Sequence, residues 1–237
     1  SEGTYISKMK PINTQVITSA GLQKAACCNL SESFQNNATV DVNYADAVTG
    51  AKQIQMLGLA GVYSQILTEN IPSVRGLATT YGLGYVPGSW MESIQISKGT
   101  TSVINGYEST TGQINVEYKK PETNKEKLFV NLYGSSMGKA EANFNVRSKV
   151  GKNASTMLLA HAEQQFSEID HNHDMFLDIP LLKQYNIMNR WNYDIPGKLH
   201  SSTTLSVLSE DRTAGQFMPQ TSSDTLTPYK IGIKANR

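Results

Sequence analysis

One acidic segment of the chain has the residue types and the spacing of a metal site. In the stretch EIDHNHDMFLDIP, oxygen-bearing groups stand at the first, third, fifth, seventh and ninth positions of a calcium-loop pattern. These positions are Asp170, Asn172, Asp174, Phe176 through its backbone carbonyl, and Asp178. Two residues depart from the pattern, because Met175 replaces the glycine of the sharp turn and Leu181 replaces the glutamate that would complete the shell. The segment therefore predicts either a Ca²⁺ site or a solvated acidic turn between two strands.

Histidines in and near this segment offer a second metal chemistry. His171 and His173 alternate with the carboxylates and would share one face of an extended chain. Together with His161 upstream, they would supply three ligands for a transition metal. The spacing alone leaves calcium, a transition metal and an unoccupied turn open.

The two cysteines, Cys27 and Cys28, are neighbours in GLQKAACCNLSESF. A disulfide between them is disfavoured, because consecutive Cα atoms lie about 3.8 Å apart and a relaxed disulfide needs about 5.5 Å. A helix over this segment would bring four apolar residues to one face, next to Cys27: Leu22, Ala26, Leu30 and Phe34. We therefore predict two free thiols with at least one buried, and a soft-metal or redox role is the alternative.

Motifs of the common enzyme classes are absent from the sequence. It has no phosphate-binding glycine loop followed by Lys and Ser or Thr, no His-Glu-x-x-His and no nucleophile elbow. The formal net charge is +1 and the basic residues are scattered, so nucleic acid is not an expected partner. The 237 residues suffice for one large domain or two modest ones. The sequence therefore gives no reason to expect an enzyme.

The first third of the chain predicts short strands and one helix. Strands are expected at TQVITS, ATVDVNYA and AKQIQMLGL, with a further strand at VYSQILTENIPSV that Pro72 would end. Four glycines and a proline exclude a long regular element from RGLATTYGLGYVPG, between Arg75 and Gly88. Two further alternating runs, MESIQIS and QINVEY, flank a Gly, Ser and Thr rich segment.

After Pro121 the pattern changes to longer polar and apolar alternation. In KAEANFNVRS every second residue is apolar, and the same rhythm recurs as far as KLHSSTTLSVLSED. Such strands predict an up-and-down antiparallel meander. Alternation alone also fits a soluble sandwich. The polar face would suit the lumen of a membrane barrel, and the rings of Tyr185, Trp191 and Tyr193 would suit its aromatic girdle.

The stretch WMESIQISKGTTSVINGYESTTGQINVEYKKP resembles the end of the plug domain of TonB-dependent outer-membrane receptors. The matching residues, in order, are Glu92, Ile94, Ile96, Lys98, Gly99, Ser102, Val103, Asn105, Gly106, Tyr107, Gly112, Ile114, Asn115 and Val116. Upstream, QIQMLGLAGVYSQILTENIP is similar to the paired strands of these plugs, except that Met56 stands where an Arg is common and TENIP replaces an acidic-glycine turn. The resemblance covers about residues 10 to 121 and is strongest to receptors of the Bacteroidetes lineage.

The resemblance implies an α+β fold, in which a mixed-sheet plug domain with short helices (1–121) precedes the antiparallel meander of a partial transmembrane β-barrel (122–237). The 116 residues after 121 have room for roughly four to six strands, whereas plugged transporters use about 22, so we expect a fragment of a receptor. The implied function is energy-coupled uptake of a nutrient such as a ferric chelate, haem, cobalamin or a metal complex. The implied partners are this ligand, the outer membrane of a Gram-negative bacterium and the inner-membrane TonB complex. A soluble β-rich ligand-binding or calcium-stabilised module is the alternative.

Within this reading, the glycine-rich loop is the expected apical loop of the plug that faces the ligand. Arg75 would supply a cation, and Tyr81, Tyr85 and Trp90 would supply ring faces, for an anionic chelate or a ring-bearing ligand. The alternative role of Trp90 and Tyr85 is packing of the plug against the barrel wall.

Overall fold

The computed structural model describes residues 3–7, 14–24, 29–34, 37, 39–75, 81–99, 108–216 and 228–237. The chain divides into two compact units. The first consists of Ser1–Ala45 and Ala51–Lys119, and the second of Asp46–Gly50 and Lys120–Arg237. Among the described residues, no helix has the length and apolar character needed to cross a membrane.

The first unit is built from short strands around a mixed sheet. Its elements are β1 (Thr4–Ser7), β2 (Thr14–Thr18), α1 (Ser19–Lys24), β3 (Val40–Asp46), β4 (Ala51–Met56), β5 (Leu59–Ala60), β6 (Ser64–Thr68), β7 (Ile71–Val74), β8 (Met91–Lys98) and β9 (Gly112–Tyr118), with 3₁₀ turns at Glu32–Phe34, Gly61–Tyr63 and Gly88–Trp90. One sheet has the order β1-β2-β8-β9-β6-β7, and a smaller sheet has the order β3-β4-β5. Only the β6–β9 pair of the larger sheet is parallel.

The centre of this sheet is formed by the two runs that flank the polar segment in the sequence. Across β8 and β9, Ile94 lies opposite Val116 and Ile96 lies opposite Ile114. All four side chains are fully buried, and such cross-strand β-branched pairs stabilise an antiparallel ladder. The strands predicted at MESIQIS and QINVEY are confirmed.

Gly112, the first residue of β9, has no room for a side chain. Its φ is +152°, and a Cβ atom there would lie 2.2 Å from the carbonyl oxygen of Ser97 and 2.6 Å from the sulfur of Met56. Close approach of β8 to β9 therefore requires glycine at this position. By contrast, a Cβ atom on Gly58, where φ is +76°, would meet no atom within 4 Å.

The helix predicted over LQKAACCNLSESF is wrong in its second half. Helix α1 ends at Lys24, and residues 29–34 contain a β-bridge from Asn29 to Pro87 followed by a 3₁₀ turn. The side-chain oxygen of Asn29 accepts hydrogen bonds from the Ser31 hydroxyl (2.5 Å) and the Glu32 amide (3.2 Å). Such local side-chain bonds compete with helical ones and favour a turn.

The single strand predicted at VYSQILTENIPSV is also wrong, because the structure has two strands joined at Glu69 and Asn70. Both residues have positive φ, 52° and 66°, as a two-residue hairpin turn requires. The Asn70 amide donates to the side-chain oxygen of Asn115 at 2.8 Å. Pro72 does not end a strand but lies within β7, an edge strand where its missing N–H costs no ladder hydrogen bond.

The second unit is one sheet of six antiparallel strands in sequence order, as the alternation predicted. The strands are β10 (Leu128–Gly134), β11 (Lys139–Val150), β12 (Ala154–Gln165), β13 (Leu181–Ile195), β14 (Leu199–Gly215) and β15 (Lys230–Asn236). Three-residue turns, 151–153 and 196–198, lie at one end of the sheet, and the four-residue turn 135–138 and the fifteen-residue connection 166–180 lie at the other. Short turns at one end and long loops at the other are typical of outer-membrane barrels.

Burial in the second unit is the reverse of that in a sheet of a soluble protein. On β11, Glu141, Asn143 and Asn145 are buried, whereas the intervening Ala142 and Phe144 are exposed. On β13, the buried Gln184, Asn186, Arg190 and Asn192 alternate with the exposed Tyr185, Ile187, Trp191 and Tyr193, and only the central pair, buried Met188 and half-buried Asn189, departs from this pattern. The predicted alternation is confirmed, and the polar residues named here are the buried ones.

Candidate functional site

The exposed side of the second unit, which we call the apolar face, carries an unbroken row of apolar residues. Ladder pairing places Val130, Phe144, Ala160, Ile187 and Val207 side by side across five strands. Apart from Ala160, each of these residues is more than two-fifths exposed. Contiguous exposed apolar surface of this kind marks contact with lipid or with another protein.

Aromatic residues border this row on β13. Tyr185 lies on one side of Ile187, and Trp191 and Tyr193 lie on the other, all on the apolar face and all exposed. Eight residues separate the two tyrosines, which corresponds to about 26 Å along the strand at ~3.3 Å per residue. At a strand tilt of ~40° this is about 20 Å along the membrane normal, so Trp191 and Tyr193 fit the aromatic girdle at one edge of a ~25 Å apolar band, whereas Tyr185 lies inside the band.

The opposite side, the polar face, contains a buried hydrogen-bond network between β11 and β12. The Asn143 amide donates to Glu141 at 2.7 Å, and its oxygen lies 2.9 Å from Nδ1 of His161. Because a carboxylate accepts only, the amide must turn its NH₂ group to Glu141, so Nδ1 of His161 is the donor. Lys139 pairs with Glu163, which lies directly opposite Glu141, at 2.9 Å. The lysine charge offsets the repulsion of two facing carboxylates.

In the first unit, the turn that joins β4 to β6 exposes a group of apolar residues, which we call the β4–β6 cluster. Its members are Leu57, Leu59, Val62 and Tyr63. Leu57 has φ of 56° and Gly58 of 76°, and Met56 pairs with Leu59, so the two residues form a type I′ hairpin turn. A leucine in this conformation costs about 1–2 kcal/mol, yet its side chain is 60% exposed. Sequence reasoning missed this cluster, although the apolar run LGLAGVY between two strands was a visible signal.

Backbone and ionic contacts bring two further segments to this cluster. The carbonyl of Tyr63 accepts from the amides of Thr110 and Thr111, both at 3.0 Å. Two residues earlier, Glu108 binds the Arg75 guanidinium through bonds of 2.9 to 3.1 Å. The apolar cluster and this ion pair therefore belong to one exposed region of the first unit.

The four residues predicted to face a ligand have different surroundings in the structure. Arg75 pairs with Glu108, while Tyr81 and Tyr85 lie in successive turns and are partly exposed. Trp90 is only 3% exposed, and its ring meets that of Tyr118 edge to face at 6.4 Å. Trp90 thus stabilises the unit from within, and a ligand role for the four residues stays a prediction.

The acidic loop, residues 166–180, is closed by its own hydrogen bonds. The Asp170 carboxylate accepts from the amides of Asp174 (3.2 Å) and Met175 (3.0 Å). The Asp178 carboxylate accepts from the His171 amide (2.8 Å) and lies 2.9 Å from Nδ1 of the same residue. Hydrogen bonds from the amide and then the ring of His171 hold the pKa of Asp178 below its usual range.

Some features of this loop agree with the calcium pattern. Met175 has φ of 67°, the left-handed conformation that a calcium loop normally gives to glycine at this position. The side chains of Asn172 and Asp174 lie within 2.9 Å of each other, and Phe176 forms a bridge to Gln216. Within the described part of the chain, no three His, Cys, Asp or Glu side chains converge on a point where a metal would bind. Calcium binding stays a prediction.

The other predicted metal ligands do not meet. His161 lies in the buried network on β12, whereas His171 lies in the acidic loop with an exposed ring. His173 has φ of 60° and is exposed in the same loop. The thiols of Cys27 and Cys28 lie outside the described residues, so their state stays a prediction.

The first unit matches a known domain family. Residues 7–113 match the family described as the TonB-dependent receptor plug domain. No curated protein matches the sequence. The glycine-rich loop, the β4–β6 cluster and the ion pair of Arg75 with Glu108 all lie within the matched range.

Solved structures with a similar fold are siderophore receptors. A complex of FpvA from P. aeruginosa with a heterologous pyoverdine and iron aligns with a TM-score of 0.70 and 17% identity, covering 89% of this chain and 26% of that one. The ferric-catecholate import receptor Fiu from E. coli K12 aligns with a TM-score of 0.65 and 16% identity, covering 87% and 27%. The siderophore receptor PirA from Acinetobacter baumannii aligns with a TM-score of 0.60 and 19% identity, covering 86% and 32%.

These alignments extend past the plug into the second unit, since they cover more than four-fifths of the chain. The chain spans about a quarter to a third of the length of these structures. TonB-dependent receptors are transport proteins of the Gram-negative outer membrane, not enzymes. Residues 7–113 therefore form a plug domain of the TonB-dependent receptor family, and the sheet that follows has the fold of the early barrel strands of the solved receptors.

Proposed function

We propose that this chain is the plug and the first barrel strands of a receptor that imports a ferric chelate across the outer membrane. The observation that carries the proposal is the reversed burial of the second unit, because exposed apolar and buried polar residues suit a sheet with lipid on one side. A soluble module would instead bury its apolar face in a closed core. Uptake of haem, cobalamin or another metal complex would use the same scaffold.

The β4–β6 cluster and the neighbouring ion pair are our proposed ligand contacts on the plug. Leu59, Val62 and Tyr63 offer apolar and aromatic surface to the organic part of a chelate. The Arg75 side chain is 49% exposed and that of Glu108 24%, so opening their ion pair costs at most about 1 kcal/mol. An anionic chelate can therefore compete with Glu108 for the guanidinium at little cost.

Transport in this proposal needs the rest of the barrel and an energy source. The ligand binds to the exposed loops, the inner-membrane TonB complex pulls on the plug, and the rearranged plug opens a path through the barrel. Each step is binding or conformational change, so no bond chemistry is required of the chain.

The experiment is uptake of ⁵⁵Fe-labelled chelates by cells that lack their own siderophore receptors and express the full-length gene. We expect uptake with at least one chelate class, and loss of that uptake when TonB is deleted. In the Tyr63→Ala variant the affinity for that chelate should fall about tenfold, because interface aromatics are common anchors. The control is Ile71→Ala, an apolar residue on edge strand β7 that is more exposed than Tyr63 (69% against 48%), which should leave affinity unchanged. Uptake that is independent of TonB, or equal effects of both substitutions, would contradict the proposal.

A further inference from the structure

Strand β14 contains a buried ion pair that the ligand site does not use. Arg212 donates from Nε to Glu210 at 2.9 Å, two residues away on the same face. The Glu210 side chain is fully buried and that of Arg212 nearly so. Removing two charges from water costs several kcal/mol, so a buried pair needs a further contact to explain its position.

That further contact is with the β3–β4 turn, Asp46–Gly50, which clusters with the second unit although its flanking strands belong to the first. Nη1 of Arg212 donates to the carbonyl of Thr49 at 3.1 Å. The guanidinium therefore binds Glu210 with one edge and the turn with another, which a lysine ammonium cannot reproduce in the same geometry.

The turn is shaped to present this carbonyl. The Asp46 carboxylate accepts from the Thr49 hydroxyl at 2.6 Å and from the Val48 amide at 3.0 Å. These bonds, that of Thr49 first, hold the pKa of Asp46 below its usual range. Gly50 has φ of 67°, and a Cβ atom there would lie 3.2 Å from Cγ of Pro180. Proline at the end of the acidic loop thus packs against the turn.

The same end of the acidic loop is joined to β14. The Leu177 amide donates to the carbonyl of Gly215 at 2.9 Å, and Phe176 bridges to Gln216. The turn consequently has two contacts in this unit, a hydrogen bond from the guanidinium of Arg212 and packing against the ring of Pro180.

We propose that Glu210 and Arg212 form a clasp that holds the β3–β4 turn of the plug on strand β14, and that the clasp must open before this part of the plug can move. Arg212 is the residue that binds the turn, and Glu210 is a positioning residue that fixes the guanidinium. The role in plug movement rests on the proposed transport function, whereas the clasp itself does not.

The test is hydrogen–deuterium exchange on the full chain in detergent micelles, read by mass spectrometry of peptides covering residues 46–51. We compare two variants. Arg212→Lys keeps the charge but loses the two-edged guanidinium that binds Glu210 and Thr49 together. The double variant, with Glu210→Gln and Arg212→Gln in one chain, leaves no unpaired buried charge. Exchange of the turn should accelerate about 10- to 100-fold in both, as expected for loss of a hydrogen bond from a charged group. The matched control is Asp211→Asn, which removes the exposed ion pair with Lys234 from the same strand and should change exchange of the turn less than twofold.

Two results would overturn the clasp. One is unchanged exchange of the turn in both test variants. The other is acceleration spread equally over β13 and β14, since the pair would then stabilise the sheet without holding the turn. The ⁵⁵Fe uptake assay is independent of this test. Uptake by the wild type together with unchanged exchange of the turn in the variants would reject the clasp alone. Faster exchange of the turn in the variants together with no uptake by the wild type would reject the transport function alone.

Discussion

A charged residue near Ile187 on the apolar face should lower the free energy of unfolding, and the loss should be smaller toward Tyr193 on the same strand. Ile187 lies in the middle of the apolar row, between Ala160 and Val207. Tyr193 lies on the same face of β13, six residues away, which is about 20 Å along the strand and about 15 Å along the membrane normal at a ~40° tilt. With an apolar band about 25 Å tall, this places Tyr193 at the membrane boundary when Ile187 is at the midplane.

Arginine at the two positions therefore should have different effects on stability. We expect Ile187→Arg to lower the free energy of unfolding by about 2–4 kcal/mol and Tyr193→Arg by about 0–1 kcal/mol. The assay is urea unfolding of the full-length receptor in phosphatidylcholine vesicles, followed by tryptophan fluorescence. Each variant is also unfolded in detergent micelles, where the difference should shrink. Equal costs at the two positions in vesicles would refute the assignment of this face to lipid.

Three further predictions concern the plug and the acidic loop. Gly112→Ala should lower the free energy of unfolding by about 3–5 kcal/mol through backbone strain and overpacking. Gly58→Ala, with open space around it, should lower it by about 1 kcal/mol. Chemical denaturation measures both, and similar losses would contradict the close approach of β8 and β9. Because the pKa of Asp178 is lower in the folded state, its carboxylate stabilises the fold above the unfolded-state pKa, and this contribution disappears as the pH falls through the folded-state pKa. The Tm difference between wild type and Asp178→Asn should thus shrink toward zero in acid, and a pH-independent difference would contradict this reasoning. If the acidic loop binds Ca²⁺, the ion should raise the Tm of the wild type but not of Asp170→Ala, and chelator should reverse the shift; equal responses would leave the loop a turn closed by hydrogen bonds.

Alternation in the sequence was sufficient to predict the meander, but not which of its two faces carries the buried side chains. A sheet in a soluble protein and a sheet in a membrane have the same period of two, and only the environment decides whether Phe144 or Asn143 is exposed. The family resemblance supplied the missing information, because it implies lipid outside the barrel. The central plug strands were likewise predictable, since β-branched residues dominate the buried positions of both.

Local side-chain bonds and long-range contacts explain what the sequence did not reveal. The side-chain oxygen of Asn29 favours a turn over a helix because it accepts from the backbone amide of Glu32. Pro72 is tolerated because β7 is an edge strand, which is a property of sheet order and not of local composition. The contact between Arg212 and Thr49 joins residues 163 positions apart, which no spacing rule connects. The apolar run that contains Leu57 was visible in the sequence, but the left-handed conformation of Leu57 in a hairpin turn was not.

The most direct test of the membrane assignment is a spin-label scan along β13. Single-cysteine replacements at each position from 184 to 193, with Cys27 and Cys28 changed to serine, are labelled in the full-length receptor in bilayers, and the accessibility of each label to oxygen and to a water-soluble nickel chelate is measured. We predict high oxygen accessibility at every odd-numbered position, greatest near Ile187 and falling toward Tyr193, with low nickel accessibility at Ile187. High nickel accessibility at the odd-numbered positions would place this face in water and contradict the identification of these strands as part of an outer-membrane barrel.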